Sequence, residues 1–191
     1  MEIEIAPGFS VTYIEGFYEP READDLFHAL VGLEMTHEEV RMRGRLYRCR
    51  RKTLPVGVDY NYNPASKSAS EWTPLMLDIK TRVESVAGPL DGGLVQLYPD
   101  GNAGIGWHED KHKPEVVASL SLGAERDFVF GVGPTNKCTE VWRRRLTHGS
   151  LILVPSQTNE AFKHRLPPTK RVNQPRVNVT LRRFTRQPGT R

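Results

Sequence analysis

The sequence predicts an α+β domain in which two helices come first and a run of short antiparallel strands follows. Two helix-start signals precede Gly93, and from there onward apolar segments of about five to seven residues alternate with turn residues. This order favours a β-sandwich or β-barrel core over a parallel sheet with intervening helices. With 191 residues, the chain fits one domain with one core.

Both helices are predicted from a proline at the first helical turn, followed by apolar residues at helical spacing. Pro20 and the acidic residues after it open a helix over residues 20–31. Pro74 opens a second helix, which Gly88 ends. The segment between the helices is basic and contains tyrosines, and its periodicity is too weak to predict an element.

Six strands are predicted in the second half of the chain from β-branched and aromatic segments between turns. They cover residues 94–98, 116–122, 127–132, 140–146, 150–154 and 176–184. The three residues from Thr147 to Gly149 predict the tight connection of a hairpin between two of these strands.

The composition predicts a protein that stays in the cytoplasm, or in the nucleus of a eukaryotic cell. The sequence has no apolar run of about 18 residues and no basic-then-apolar leader. Cys49 and Cys138 are too few and too far apart for a disulfide framework or a thiolate zinc site. We therefore expect a monomer that is not secreted and has no membrane partner.

The chain is basic, with a formal net charge of +4 and a pI of about 9.2. The excess positive charge is concentrated in the segments 41–52, 143–145 and 182–191. Such clusters are typical of proteins that bind a polyanion. They are equally consistent with solvated faces of strands and loops, so charge alone does not identify the substrate.

A candidate metal site lies in the segment Trp107-His108-Glu109-Asp110. On an extended backbone, residues two apart leave the same face, so His108 and Asp110 can bind one ion. His164 can supply a third ligand from a later strand. Two imidazoles and one carboxylate leave coordination positions open, which is typical of non-haem iron(II) oxygenases.

The same segment also satisfies the His-Glu-x-x-His motif of zinc metalloproteases over residues 108–112. That interpretation requires a helix that presents both histidines. Glycines precede the motif and Pro114 follows it, so the helix would be broken at both ends. Glu115 also stands where the extended metzincin motif needs glycine. The flanking residues therefore disfavour a zinc protease.

Polar and apolar residues alternate regularly along the last predicted strand. Arg176, Asn178, Thr180 and Arg182 leave one face of the predicted strand 176–184, and apolar residues leave the other. The simplest interpretation is a half-exposed strand with its arginines in solvent. However, the strand begins only a short loop after the third candidate ligand. Because a guanidinium binds a carboxylate through two hydrogen bonds, a basic face beside an iron site suits a dicarboxylate.

Over most of its length, and most densely from Leu94 to Phe184, the sequence resembles the AlkB family of nucleic-acid dealkylating dioxygenases. The motifs that carry the resemblance are Leu97-Tyr98-Pro99-Asp100-Gly101, Trp107-His108-Glu109-Asp110, Ala118-Ser119-Leu120-Ser121-Leu122-Gly123-Ala124, His148-Gly149-Ser150-Leu151, His164-Arg165-Leu166-Pro167 and Pro175-Arg176-Val177-Asn178-Val179-Thr180-Leu181-Arg182.

The resemblance implies a single domain with a double-stranded β-helix (jelly-roll) core in about residues 93–185. It places N-terminal helices and a nucleotide-recognition lid in about residues 1–92, and a flexible tail at 186–191. It also implies a site for iron(II), 2-oxoglutarate and O₂. The residues concerned are His108, Asp110 and His164 for the metal, and Gln96, Tyr98, Arg176, Asn178 and Arg182 for the cosubstrate.

The implied activity is oxidative demethylation of bases such as 1-methyladenine and 3-methylcytosine, in single-stranded or locally opened DNA or RNA. Candidate contacts to this substrate are Tyr60, Tyr62, His112, Arg50, Arg51 and Lys52. The alternatives are an oxygenase of the same chemistry that acts on a protein or a small molecule, and a non-catalytic nucleic-acid-binding module.

Three positions depart from the family pattern. Gln96 replaces an asparagine, and its longer amide can still donate to the cosubstrate. His112 stands where relatives have an acid that contacts the exocyclic amine of the base, and it could accept a hydrogen bond only when neutral. Lys163 replaces an aromatic residue before the last metal ligand.

Overall fold

The computed structural model describes residues 1–42, 44–57, 69–110 and 113–184. The strands are β1 Glu2–Ala6, β2 Phe9–Ile14, β3 Thr36–Met42, β4 Arg45–Val56, β5 Gly92–Tyr98, β6 Ile105–His108, β7 Val116–Gly123, β8 Arg126–Val132, β9 Thr139–Leu146, β10 Ser150–Pro155, β11 Lys163–Leu166 and β12 Arg176–Arg183. The helices are α1 Pro20–Val31, α2 Pro74–Ala87 and α3 Ser156–Ala161, and Thr135–Lys137 forms one 3₁₀ turn.

The strands form two antiparallel sheets. The larger sheet has the order β1-β2-β10-β7-β12-β5-β4-β3, and the smaller has the order β6-β11-β8-β9. Side chains from both sheets line one internal cavity, so the sheets face each other as the two layers of a jelly roll. The predicted α+β class and jelly-roll core are confirmed. The nucleotide-recognition lid stays a prediction, since residues 58–68 lie outside the described part of the chain.

The two helices begin and end where the sequence predicts. At the start of α1, Glu19 and Glu22 form a reciprocal capping box. At the start of α2, the Thr73 hydroxyl accepts a hydrogen bond from the Met76 amide at 3.3 Å. Both helices pack on the outer face of the larger sheet. The core there includes Ala23, Leu30, Met76, Ile79, Val83, Val95, Leu120, Leu122, Val177, Val179 and Leu181. None of the helices in the described residues is both long and apolar enough to span a membrane.

All six predicted strands are present, but the larger sheet extends well beyond them. The strands β1 to β4, together with the short β6 and β11, were not predicted. In β3 and β4 the reason is physical: their charged side chains face both the solvent and the cavity, so the apolar alternation that marks a half-buried strand is missing.

The hairpin predicted at residues 147–149 is wrong. The strand β9 belongs to the smaller sheet and β10 to the larger, so this segment connects the two layers. Gly149 adopts a φ of 73°, which favours glycine, and its amide donates to the Ser121 carbonyl at 2.8 Å. His148 accepts a hydrogen bond from the Gly123 amide at 2.8 Å. A crossing between layers thus uses the same turn residues as a hairpin.

The arginine triplet 143–145 does not form an unpaired basic surface. Arg143 contacts Asp127 at 2.8 Å and Glu140 at 2.7 Å, and Arg145 contacts Asp127 at 3.3 Å. The hydrogen bonds that Arg143 donates to Glu140 and Asp127 raise the pKa of its guanidinium. Arg144 lies over the Tyr13 ring, 3.9 Å from its centroid. This cluster is therefore largely neutralised by its own strand neighbours.

A buried arginine ties together the loops next to the short strands β6 and β11. Arg126 is 2% exposed, and its guanidinium donates to the carbonyls of Gly101, Ala103 and Pro167 at 2.8–3.1 Å, and to that of Asp100 at 3.3 Å. This side chain adds to the backbone hydrogen bonds that already join the two loops, from the Gly101 amide to the Val172 carbonyl and from the Thr169 amide to the Gly101 carbonyl, both at 2.8 Å.

We predict that Arg126→Met lowers the free energy of unfolding by about 3 kcal/mol, because several buried carbonyls lose their donor. Urea denaturation monitored by circular dichroism measures the change. Arg143→Met is the matched control, since its ion pairs are partly exposed and should contribute less than about 1 kcal/mol. Similar losses in both variants would contradict the assigned role of Arg126.

Candidate metal and cosubstrate site

The two candidate histidine ligands are brought together by strand pairing. His108 ends β6 and lies directly opposite His164 of β11 in the antiparallel register. Their ring centroids are 4.2 Å apart. Asp110 follows two residues after His108, and one ligand atom from each of the three residues lies within 4.8 Å of the others. The predicted triad is therefore assembled where β6 ends beside β11 in the smaller sheet. The spacing of its ligand atoms suits one metal ion.

The protonation states of the triad also suit a metal ion. Burial lowers the pKa of His108 and lowers that of His164 to about 3. Burial opposes ionisation of Asp110, but the charge and hydrogen bonds of Arg182 outweigh it and hold the pKa of this carboxyl group well below its usual range. At neutral pH the triad has neutral imidazoles and an anionic carboxylate, as metal ligation requires.

The surroundings orient two of the three ligands. The Nδ1–H of His108 donates to the Gly106 carbonyl at 2.8 Å, which leaves the lone pair on Nε2. Arg182 donates to both carboxylate oxygens of Asp110, at 2.8 and 3.3 Å, and both side chains are almost fully buried. The Nδ1 atom of His164 is buried without a hydrogen-bond partner among the described residues. These donor atoms fit an iron(II) ion.

A second conspicuous group is Arg176, which is 2% exposed and lies beside the same cavity. Its guanidinium donates to the Ser121 hydroxyl at 2.9 Å and lies over the Tyr98 ring at 5.3 Å. Its Nε has no hydrogen-bond partner, and no described carboxylate lies within ion-pair distance. Burial lowers its pKa to about 10. Such a group fits the carboxylate of a bound ligand.

A chain of buried amides and hydroxyls continues from this arginine along β5 and β12. Tyr98 donates to the Gln96 carbonyl oxygen at 3.2 Å, and the Gln96 amide donates to Asn178 at 3.3 Å. Asn178 in turn donates to the Ser119 hydroxyl at 2.8 Å and accepts from Thr180 at 2.8 Å. Gln96 is therefore accommodated in a satisfied network, which explains how the longer side chain replaces asparagine.

The strand β12 is buried on both faces, so the interpretation of a half-exposed strand is wrong. Its apolar side chains join the helix-covered core, and the predicted polar set (Arg176, Asn178, Thr180 and Arg182) lines the cavity. The cavity has a volume of about 420 Å³. It also contains the metal triad, Gln96 and Tyr98, so all eight predicted metal and cosubstrate residues are in one place.

The predicted substrate contacts are distributed differently. Arg51 is buried, lines the cavity and forms an ion pair with Glu38. Arg50 is exposed and contacts Asp100 at 2.8 Å, and neither it nor Lys52 lines the cavity. The three basic residues therefore do not act from one surface. Tyr60, Tyr62 and His112 lie outside the described residues.

Several lining residues were not identified from the sequence, among them Glu38, Trp107, Ser119, Phe128 and Asn159. The alternation of small polar and apolar residues along β7 could have indicated Ser119. No sequence signal marks Glu38. Lys163, which departs from the family pattern, forms an ion pair with Glu109, so this pair adjoins all three metal ligands in the sequence.

Comparisons with known proteins agree with this geometry. Residues 10–182 match the model of the 2OG-Fe(II) oxygenase superfamily. The bovine and human proteins named "DNA oxidative demethylase ALKBH2" are 36% and 35% identical over 140 residues, which are 68% of this chain and 50% and 53% of those proteins. The chain thus spans about half the length of these relatives.

The human "Alpha-ketoglutarate-dependent dioxygenase alkB homolog 3" is 29% identical over 95% of this chain and 69% of its own length. A solved structure, "The structure of OsALKBH1", superposes with a TM-score of 0.65 at 16% identity and covers 91% of this chain and 97% of that chain. The chain therefore belongs to the 2OG-Fe(II) oxygenase superfamily and, within it, to the AlkB family.

Proposed function

We propose that this chain demethylates nucleic acid, and that its substrates are N-alkylated bases such as 1-methyladenine and 3-methylcytosine in single-stranded or locally opened DNA or RNA. The reaction consumes 2-oxoglutarate and O₂ and yields succinate, CO₂ and formaldehyde. The resemblance to ALKBH2 and alkB homolog 3 supports the class of substrate.

One observation carries the oxygenase part of the proposal. A buried arginine without a carboxylate partner lies in the same cavity as a His-Asp-His triad. The cavity therefore offers a cation for one end of a dicarboxylate and ligand atoms for a metal at the other. We assign Arg176 and Tyr98 to the distal carboxylate of 2-oxoglutarate, and Gln96 and Asn178 to the support of this pocket.

The protein contributes position and enclosure. His108, Asp110 and His164 would hold iron(II), which when bound supplies the oxidation of the methyl group by O₂. Arg182 holds the Asp110 carboxylate in place and stabilises its negative charge. Because Arg182 belongs to the same strand as Arg176, its contact with Asp110 joins the strand that carries the cosubstrate residues to the metal ligands. The hydroxymethyl group formed on the base leaves as formaldehyde.

The base must leave its stack to reach a cavity enclosed between two sheets. Unstacking is easiest in single strands or at opened base pairs, which favours such substrates. Trp107 and Phe128 provide aromatic lining next to the triad, and Arg165 lies over the Trp107 ring at 4.3 Å. Arg50 and Lys52 remain candidates for phosphate contacts outside the cavity.

The proposal is tested by mass spectrometry of single-stranded DNA and RNA that carry 1-methyladenine or 3-methylcytosine. The protein is incubated with iron(II), ascorbate and 2-oxoglutarate. We expect loss of one methyl group per succinate formed, and none in the variant His108→Ala/Asp110→Ala. Succinate without any demethylation would leave an oxygenase that acts on another substrate. Oligonucleotide binding unchanged in the double variant, with no succinate from either protein, would indicate a non-catalytic binding module.

We further predict that Arg176→Met abolishes the response to cosubstrate without weakening the fold. In a thermal shift experiment with Mn²⁺, 2-oxoglutarate should raise the Tm of the wild type and leave the variant unchanged, since binding no longer stabilises the folded state. Without ligand, the variant should be at least as stable as the wild type, because a buried unpaired charge is removed.

The control for this variant is Arg183→Met, on the same strand. Arg183 is partly exposed, contacts Glu115 at 2.8 Å and does not line the cavity. This variant should keep the full Tm increase with 2-oxoglutarate. A normal increase in Arg176→Met would contradict the assigned carboxylate site.

A further inference from the structure

Part of the cavity wall, on the larger sheet, is polar, and the proposed reaction does not explain the role of this part. Glu38 of β3 and Arg51 of β4 form an ion pair there. The Arg51 side chain is 8% exposed and the Glu38 side chain 30% exposed, so the pair extends from the interior towards the rim.

The register of β3 and β4 places this pair on the cavity face. Thr36 lies opposite Thr53, so by alternation Glu38 and Arg51 share the face of those two residues. The pairing becomes irregular at Glu38. His37 pairs with Lys52 and Glu39 pairs with Arg48, so three residues of β4 lie opposite the single residue Glu38. The His37 ring contacts the Cys49 carbonyl, which this bulge frees, at 2.9 Å. Bulges are frequent next to active sites.

The register with β5 shows which side the pair faces. Lys52 lies opposite Leu97 and Thr53 opposite Gln96. Because side chains alternate along a strand, Arg51 shares the cavity face with Gln96 and Tyr98, and Lys52 leaves the other face. The Arg51 Nε is buried without a hydrogen-bond partner among the described residues. A buried donor without a partner in a cavity wall fits contact with a ligand.

Glu38 is the carboxylate of this cavity that is available to a substrate. Three carboxylates line its described part: Glu38, Glu109 and Asp110. Asp110 belongs to the metal triad and is held by Arg182. Glu109 is more than half exposed and pairs with Lys163 on the outer side. Only Glu38 lies on the large-sheet wall, where an anion would meet a group that approaches the triad.

We propose that Glu38, held by Arg51, selects bases that carry an exocyclic amine, and this inference rests on the proposed function. Methylation at N3 of cytosine leaves a cationic ring whose N4 amine donates hydrogen bonds. A carboxylate accepts from this amine and complements the ring charge. The corresponding uracil is neutral and has a carbonyl oxygen at that position, so its lone pairs face those of the carboxylate. The pair therefore discriminates amine from carbonyl at one position of the ring.

The test compares two oligonucleotides that differ only in 3-methylcytosine or 3-methyluracil at one site. In Glu38→Gln, an amide replaces the carboxylate at nearly the same volume and can donate as well as accept. We expect the ratio of kcat/KM for 3-methylcytosine to that for 3-methyluracil to fall by roughly 10- to 100-fold, the usual effect of one hydrogen bond to a charged group. Binding without O₂, measured by fluorescence anisotropy, should show the same change in the ratio of Kd values.

Glu39→Gln is the matched control, because Glu39 is the exposed neighbour on β3 and does not line the cavity. Its ratio should equal that of the wild type. An unchanged ratio in Glu38→Gln, including an equal loss for both oligonucleotides, would overturn the assignment to Glu38 while leaving the demethylase intact. If the wild type demethylates neither oligonucleotide, the proposed function fails, and the selection by Glu38 fails with it.

Discussion

The structure is organised around a guanidinium that is buried without a carboxylate. Arg176 lies on β12 between β5 and β7, near the centre of the larger sheet. The helix-covered core buries one face of this strand, and the other face lines the cavity. Ser121 and Tyr98 give it one hydrogen bond and one aromatic contact, which only partly compensate a buried charge. The folded state therefore retains an unfilled interaction that a bound carboxylate can satisfy. The unpaired guanidinium lowers the stability of the folded state, but it forms a ligand site that is ready before binding. This is common where binding residues are fixed by a rigid sheet.

The second arginine of β12 shows why the first remains available. Arg182 has the same kind of environment, but Asp110 lies within reach and takes up its charge. The pairing has two consequences for the triad: it fixes the carboxylate, and it helps to hold the pKa of Asp110 well below its usual range. The positive charge also contributes, after burial, to the low pKa of both histidines. Two arginines six positions apart thus act on different ends of one cavity, because only one of them meets an acid.

The parts of the fold that local chemistry determines were predictable, and those that depend on the partner layer were not. Proline and glycine signals located α1 and α2, and the alternation along β12 identified the set of cavity residues. The segment 147–149 was misassigned because a turn does not reveal whether the next strand pairs with the previous one. Glu38 was missed because its place in the cavity wall depends on the pairing of β3 with β4 and of β4 with β5, and neither pairing leaves a period in the sequence.

The two sheets differ in how their charged side chains are paired. In the smaller sheet, Arg143 and Arg145 are matched by Asp127 and Glu140, so the basic composition there does not translate into a free surface. In the larger sheet, the β3–β4 hairpin combines exposed basic residues with the inward pair of Glu38 and Arg51. One edge of that sheet therefore presents positive charge outside and a carboxylate inside. On the proposed function, the outer charge attracts the phosphates without regard to sequence. Discrimination between bases is then left to groups within the cavity, where a single hydrogen bond has a larger effect than on the open surface.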